Sequence, residues 1–228
     1  MLPDETSPIQ PYHHGNVKEA LVDTAMKMIE NHEIGALSLR RLSKEVGVTP
    51  SAVYNHFSDK DALLLAIKTR IYNHMNQFFE ARRSNTEDPE QALLEICLAY
   101  YQYSKDYSSQ FHFLFSATLP LEWLTPENLA VSCHSILNVR KLIWRIYEKH
   151  LIICSETAVV NATLLVWSQL HGIVTLRNSG SIKAAVTHLG WPERCGLADD
   201  SAVEQLIRNH LKLMVNGILN SQNDGNHH

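Results

Sequence analysis

A surplus of positive charge is the first thing missing. The 228-residue chain carries 20 Lys and Arg against 24 Asp and Glu, a formal net charge of −4, so no overall field draws it toward a polyanion. Even residues 1–61 hold six Lys/Arg against nine Asp/Glu. Any phosphate-binding face must therefore be local, and Arg40, Arg41, Lys44 and Lys60 are its candidates. Cysteine is scarce as well. Cys97, Cys133, Cys154 and Cys195 stand far apart, with no Cys-x-x-Cys pair and no zinc-finger spacing, so each reads as a small apolar residue in a reducing compartment. No metal and no cofactor are expected. The proline-bearing, acidic N-terminal stretch lacks the apolar core of a secretory leader, and a cytoplasmic location is the expectation.

One long uncharged run, Thr157–Leu176, is long enough to span a bilayer on length alone. Asn161, Ser168, Gln169 and His171 interrupt it and its flanks lack basic bias, so it reads instead as the buried centre of a helical domain or a subunit interface. No membrane partner is expected.

What the chain does have is helical periodicity. Apolar content of 45% and charged content of 19% describe an ordinary globular protein. Strand-like alternation and internal repeats are absent, and the predicted fold class is all-α. Residues 1–12, with Pro3, Pro8 and Pro11, read as a flexible arm, and 222–228 as a disordered tail. A helix is predicted from about Asn16 to Asn31. Ser58, with Asp61 three residues on, predicts the start of the fourth helix by a capping-box pattern, and its stripe Leu63, Ile67, Ile71, Met75 and Phe78 continues beyond the N-terminal unit. Further helices are predicted at about 89–107, 127–150, 156–178 and 200–220, with a short one around the aromatic cluster Phe111–Phe115. Residues 179–198, carrying Gly180, Gly190, Pro192 and Gly196, read as a long loop with room for one helical turn.

Residues 38–57, SLRRLSKEVGVTPSAVYNHF, carry the most information. Leu39, Leu42 and Val46 fall at helical spacing, and Val48, Ala52, Val53 and Phe57 form a second apolar set. Gly47 supplies the turn between them, Thr49 is placed to cap the second helix, and Pro50 suits its first turn. Ser51, Tyr54, Asn55 and His56 are left facing outward near that helix's start, where side chains of a recognition helix reach base edges and phosphates.

The run Val48–Phe57, followed by Ser58-Asp59-Lys60-Asp61-Ala62-Leu63 and preceded by His13-His14-Gly15-Asn16, resembles the tetracycline-repressor (TetR) family. The resemblance covers residues 13–75 and implies a three-helix helix-turn-helix DNA-binding domain there, followed over 76–221 by an α-helical ligand-binding and dimerisation domain. Within the second part, Trp167-Ser168-Gln169-Leu170-His171-Gly172 resembles the tryptophan-histidine-glycine signature of one class of ligand-binding domain in that family. Carried over residue by residue, the resemblance implies DNA contact by Ser38, Arg40, Thr49, Pro50, Ser51, Tyr54, Asn55, His56 and Lys60. Arg40 suits guanine O6/N7, while Tyr54, His56 and Lys60 match phosphate-contacting positions that fix register. Other roles remain open at some of these positions. Tyr54 could serve packing alone, Thr49 capping alone, and Arg41 either a solvated face or DNA.

The function so implied is a sequence-specific transcriptional regulator, not an enzyme. It would act as a homodimer on double-stranded DNA with a palindromic operator, as a repressor released by a small-molecule effector. Candidate effector-contacting residues are Tyr100, Tyr103, His112, Phe115, Trp123, His134, Trp144, Trp167 and His171, any of which could equally be core. Candidate dimer contacts are Leu164, Val203, Leu206, Ile207, Leu211, Met214 and Ile218, from two helices per subunit. Two rivals stand beside this reading. One is an effector-independent DNA-binding protein acting on chromosome organisation. The other is an all-α metal-binding enzyme using His112, His134, Glu156 and His171, although the chain has no His-Glu-x-x-His or Glu-x-x-His arrangement among them.

Overall fold

The computed structural model describes residues 17–116, 120, 123–193, 195, 197 and 199–220. The expected N-terminal arm, the lead-in His13–Asn16 and the expected tail at 222–228 lie outside the described residues. Among the described residues there are eleven α-helices and no strand: α1 (Val17–Glu30), α2 (Leu39–Val46), α3 (Pro50–Tyr54), α4 (Lys60–Glu80), α5 (Pro89–Asp106), α6 (Ser108–Ser116), α7 (Pro126–Ser132), α8 (His134–Lys149), α9 (Glu156–Asn178), α10 (Ser181–Leu189) and α11 (Asp200–Asn220). The protein is all-α, as its periodicity predicts.

The first three helices and the start of α4 close around a small core of Leu21, Ala25, Ile29, Leu37, Leu42, Val53, Phe57, Leu63 and Ile67, all buried. Arg70 of α4 pins this unit to α1 through ion pairs with Glu19 and, at 3.0 Å, Asp23. Beyond that point α4 packs on α5, α6 and α7, so one helix belongs to both the N-terminal unit and the body. In the body, α5 packs against α8, α9 and α11. Lys149 and His150, at the end of α8, reach Glu90 near the start of α5, each at 2.8 Å.

Several sequence expectations need correction. Ser58 does not cap α4. Asp59 does, accepting from the Ala62 N–H at 2.8 Å, while the Ser58 hydroxyl donates to the other carboxylate oxygen at 2.9 Å. The single helix expected at 127–150 is two, divided at Cys133, whose backbone closes α7 and opens α8. The loop expected over 179–198 contains α10, bounded on both sides by left-handed glycines, Gly180 (φ 72°) and Gly190 (φ 68°). Those glycines stop a helix at each end and do not mark a loop throughout.

The largest correction concerns α11. Val203, Ile207, Leu211 and Ile218, expected at a dimer contact, are buried inside the subunit, where α11 packs on α5 and α9. Leu206 and Met214 are half-buried at the edge of that contact. The stripe is apolar because it faces its own chain. For α9, the inner face (Val159, Val166, Leu170, Val174) is buried, while Leu164, Leu165 and Leu176 are exposed. This helix is long and apolar enough to cross a membrane by length and composition, but its inner face packs on α5, α8 and α11.

The start of α11 is held electrostatically. The Asp200 carboxylate accepts from the Tyr101 hydroxyl at 2.7 Å, pairs with Lys105, and lies 3.4 Å from Arg177. These partners hold its pKa down at about 2, below the ordinary 3.8, while burial together with the neighbouring carboxylate pushes the Tyr101 phenol up to about 12. A depressed carboxylate pKa adds stability above the unfolded-state value, and that stability is lost as pH falls through the folded value. Asp200→Asn is therefore expected to melt below wild type at neutral pH, with the gap closing between about pH 4 and about pH 2. Paired thermal melts across that range check this, and a gap that persists at the acid end would place the contribution elsewhere.

Candidate functional site

Each helix of the motif is started and stopped by an identifiable side chain. The Ser38 hydroxyl accepts from the Arg41 N–H at 3.2 Å and opens α2. Gly47 (φ 76°, ψ 28°) ends it: its N–H donates to the Lys44 carbonyl at 3.2 Å and the Val48 N–H to that of Ser43 at 2.9 Å. These two bonds form a Schellman closure, which needs the left-handed backbone that glycine adopts without strain. Thr49 then caps α3 by accepting from the Ala52 N–H at 3.2 Å, with Pro50 in its first turn.

That sequence of caps leaves Ser38, Arg40, Thr49, Pro50, Ser51, Tyr54, Asn55, His56 and Lys60 all exposed. Tyr54 is 58% exposed, far more than a ring recruited for packing would be. Val53 and Phe57, on the opposite side of α3, are buried. The two adjacent arginines divide. Arg41 pairs with Glu33 and, at 3.6 Å, Glu45, whereas Arg40 forms no ion pair among the described residues. Arg40 is the guanidinium left available for a base edge or phosphate. Lys60 opens α4 behind the cap Asp59, beside backbone N–H groups that suit a phosphate.

The nine residues expected to meet an effector do not converge on one place. Tyr100, Phe115 and Trp167 line an apolar cavity of about 260 Å³ between α4, α5, α8 and α9, with Tyr72, Met75, Phe79, Cys97, Cys133, Val139, Val166 and Leu170. His112 and His171, with Phe115 again, line a wider groove of about 620 Å³ that includes His32 and Ile34 beside the motif. Trp123 lines a recess against α4, and His134 and Trp144 a shallow one along α8 that reaches Val159 of α9. Tyr103 is a correction. It is fully buried, its hydroxyl donating to Gln110 Oε1 at 3.0 Å, and it lines neither the cavity nor the groove. His112, His134, Glu156 and His171 likewise do not form one cluster: Glu156 pairs with Arg140, and no group of three or more His, Cys, Asp or Glu side chains that could hold a metal occurs among the described residues.

Cavity and groove share a wall. The Tyr100 hydroxyl and His171 Nδ1 are 2.9 Å apart, and the Phe115 ring lies 4.5 Å from the imidazole. Burial lowers the His171 pKa and raises that of Tyr100, favouring both neutral forms. The Trp167/His171 pair thus divides its work, the indole facing the cavity and the imidazole the wall. The α4 contributions (Tyr72, Met75, Phe79) escape sequence reasoning because periodicity marks a stripe without saying which parts of it remain uncovered.

Residues 21–67 match the sequence model of the bacterial regulatory proteins of the tetR family. No curated protein sequence matches the chain significantly. Solved structures do match over nearly its whole length. A protein of unknown function from Rhodococcus sp. RHA1 is 20% identical over 91% of this chain and 98% of its own, with a TM-score of 0.67. The TetR family transcriptional regulator PfmR from Thermus thermophilus is 20% identical over 86% and 97%, with a TM-score of 0.53. BioQ bound to its double-stranded DNA operator is 20% identical over 89% and 97%, with a TM-score of 0.54. Residues 21–67 are thus similar in sequence to the tetR-family regulatory domain, and the chain as a whole has the fold of these solved structures.

Arg40→Ala is expected to weaken binding to a cognate site by about 1–3 kcal/mol, the value of a good bidentate base contact, with helicity unchanged because the side chain is exposed. Lys60→Ala should weaken binding to every DNA sequence by similar factors and shallow the salt dependence by about one charge. Salt-controlled fluorescence titrations on specific and unrelated duplexes separate the two, and a sequence-selective loss for Lys60→Ala would move that lysine from phosphate to base.

Proposed function

We propose that this TetR-family regulator acts as a homodimer that represses transcription from a palindromic operator in the cytoplasm and is released by a small-molecule effector held in the cavity between α4, α5, α8 and α9. The observation that carries the DNA half is the exposed set Thr49, Pro50, Ser51, Tyr54, Asn55 and His56 with Arg40 and Lys60 beside it, the last two without an ion pair among the described residues while neighbouring Arg41 has two. One such short helix reads too few base pairs for specificity. Two copies related by a two-fold axis reach successive major grooves about 34–36 Å apart. BioQ, which shares the fold, is bound to a double-stranded DNA operator, which supports the DNA half of this reading.

The dimer contact best supported is the outward face of α9 and α11, carrying Leu164, Leu165 and Leu176 on one helix and Leu213 on the other, with Leu206 and Met214 at its edge. These leucines are exposed in one chain, Leu165 by 54% and Leu213 by 70%, and covering each gains the corresponding fraction of the roughly 1.5–3 kcal/mol that burying a whole exposed leucine contributes. The effector half rests on the cavity's apolar lining and on α4, which lines it near one end and starts at Lys60 by the other. A ligand shifts such a helix only by binding its two positions with different affinity.

Genome-wide mapping of bound DNA followed by footprinting tests the regulator reading. Protection of two symmetric half-sites supports it, and binding without sequence preference would favour the chromosome-organising alternative. For the interface, Leu165→Glu with Leu213→Glu is expected to give folded monomers with lost operator affinity, because neither side chain supports the subunit core. Leu211→Glu, which places a charge inside that core, should unfold the subunit. Sedimentation with circular dichroism distinguishes these outcomes, and an intact dimer of the double variant would move the contact off this face.

A further inference from the structure

Lys68 is the anomaly of α4. Its side chain is 7% exposed, and its Nζ donates to the Leu114 carbonyl at 2.5 Å and stands 6.0 Å from the centroid of the Phe113 ring. Burial lowers its pKa, and no counter-charge among the described residues opposes the shift. Leu114 lies in the last turn of α6, where carbonyls lack helical partners and favour a cation, so part of the lysine's role is to close that helix. One carbonyl occupies one of three ammonium donors. An uncompensated ammonium in this position still bears a desolvation cost that an apolar residue would not.

Lys68 also lines a recess of about 160 Å³ with Trp123, Asn128 and Tyr72. Tyr72 and Ser132 belong both to this recess and to the larger apolar cavity. Tyr72 stands one turn after Lys68 on α4, and burial keeps its phenol neutral. Joined past Tyr72 and Ser132, the two spaces would pass the lower end of the range for small-molecule sites, about 300–1,000 Å³. They offer opposite chemistry at their two ends: a buried cation with no counter-ion among the described residues at one, and a lining of Met75, Val166 and Leu170 at the other.

We propose that Lys68 holds the carboxylate of an amphipathic monocarboxylic acid whose apolar body runs past Tyr72 into the cavity between α4, α5, α8 and α9. This rests on the reading of that cavity as the effector site and adds the chemical class of the effector. A carboxylate makes a charge-assisted hydrogen bond stronger than the one to a neutral carbonyl, and so it competes with Leu114 for the ammonium. The competition acts on the helix that carries Lys60 to the DNA.

Calorimetric titration with linear carboxylates from hexanoate to dodecanoate and with 3-phenylpropionate, each beside its matched primary alcohol, tests the assignment. Wild type is expected to prefer at least one carboxylate over its alcohol by tenfold or more. Lys68→Met should erase that preference and leave alcohol affinity unchanged, and Lys68→Arg should keep it. Removing an unpaired buried charge is expected to leave Lys68→Met folded, which its melting temperature checks. A carboxylate preference that survives Lys68→Met, or alcohols that bind wild type as tightly as the acids, overturns the role of Lys68. In that case the cavity reading stands if Val166→Trp, which fills the cavity, weakens the alcohols. No saturable binding of any acid or alcohol overturns both.

Discussion

The structure depends on α4 being a single unbroken helix shared by two cores. Its 21 residues extend about 30 Å. Leu63 and Ile67 close the motif's core at one end, and Met75, Phe78 and Phe79 enter the body's core at the other. A helix buried at both ends cannot rotate or slide for one core without disturbing the other, because close-packed interiors answer a displacement by repacking. The position of α3 relative to the body is therefore set by which packing α4 adopts.

A second junction runs beside it. Gln110, nearly buried on α6, accepts from the Tyr103 hydroxyl at 3.0 Å, lies 3.2 Å from His74 Nδ1, and donates to Glu30 at 3.2 Å. Those four residues come from α6, α5, α4 and α1. The end of α1 is thereby tied to three body helices through one amide, while Lys68 ties α4 to the end of α6. Side-chain networks in a low-dielectric interior are strong when complete and costly when one member is left unpaired. The N-terminal unit is accordingly joined to the body by directional bonds as well as by greasy contact, and directional bonds specify one relative orientation.

How legible this is in the sequence differs between the two halves for a physical reason. The motif is built from local signals: Ser38, Gly47, Thr49 and Pro50 act on backbone groups within a few residues, so each can be placed from spacing alone. Even there Ser58 and Asp59 are indistinguishable, since both are good caps and the choice rests on which carboxylate or hydroxyl meets the Ala62 N–H. The body is built from non-local packing. The α11 stripe is visible in the sequence, but periodicity does not say whether α5 and α9 of the same chain or a second chain covers it. Tyr103 and Tyr100 stand three residues apart on α5 with similar surroundings in sequence. One becomes a core hydrogen-bond donor and the other a cavity wall, because Gln110 and His171 arrive from other helices. Lys68 gives no signal of its own, because a lysine beside an apolar stripe usually reaches solvent.

The five-residue α3 has a consequence of a different kind. Isolated helices shorter than about 12–15 residues are marginal in water, so this one exists because Val53 and Phe57 hold it against its neighbours and Thr49 and Gly47 set its entry. Ser51, Tyr54, Asn55 and His56 contribute almost nothing to that hold. The face proposed to read DNA can thus be rewritten, residue by residue, with little penalty in folding, and a lineage carrying this scaffold is free to drift from one target sequence to another. Specificity and stability are placed on opposite sides of the same short helix, and mutation can explore one without endangering the other.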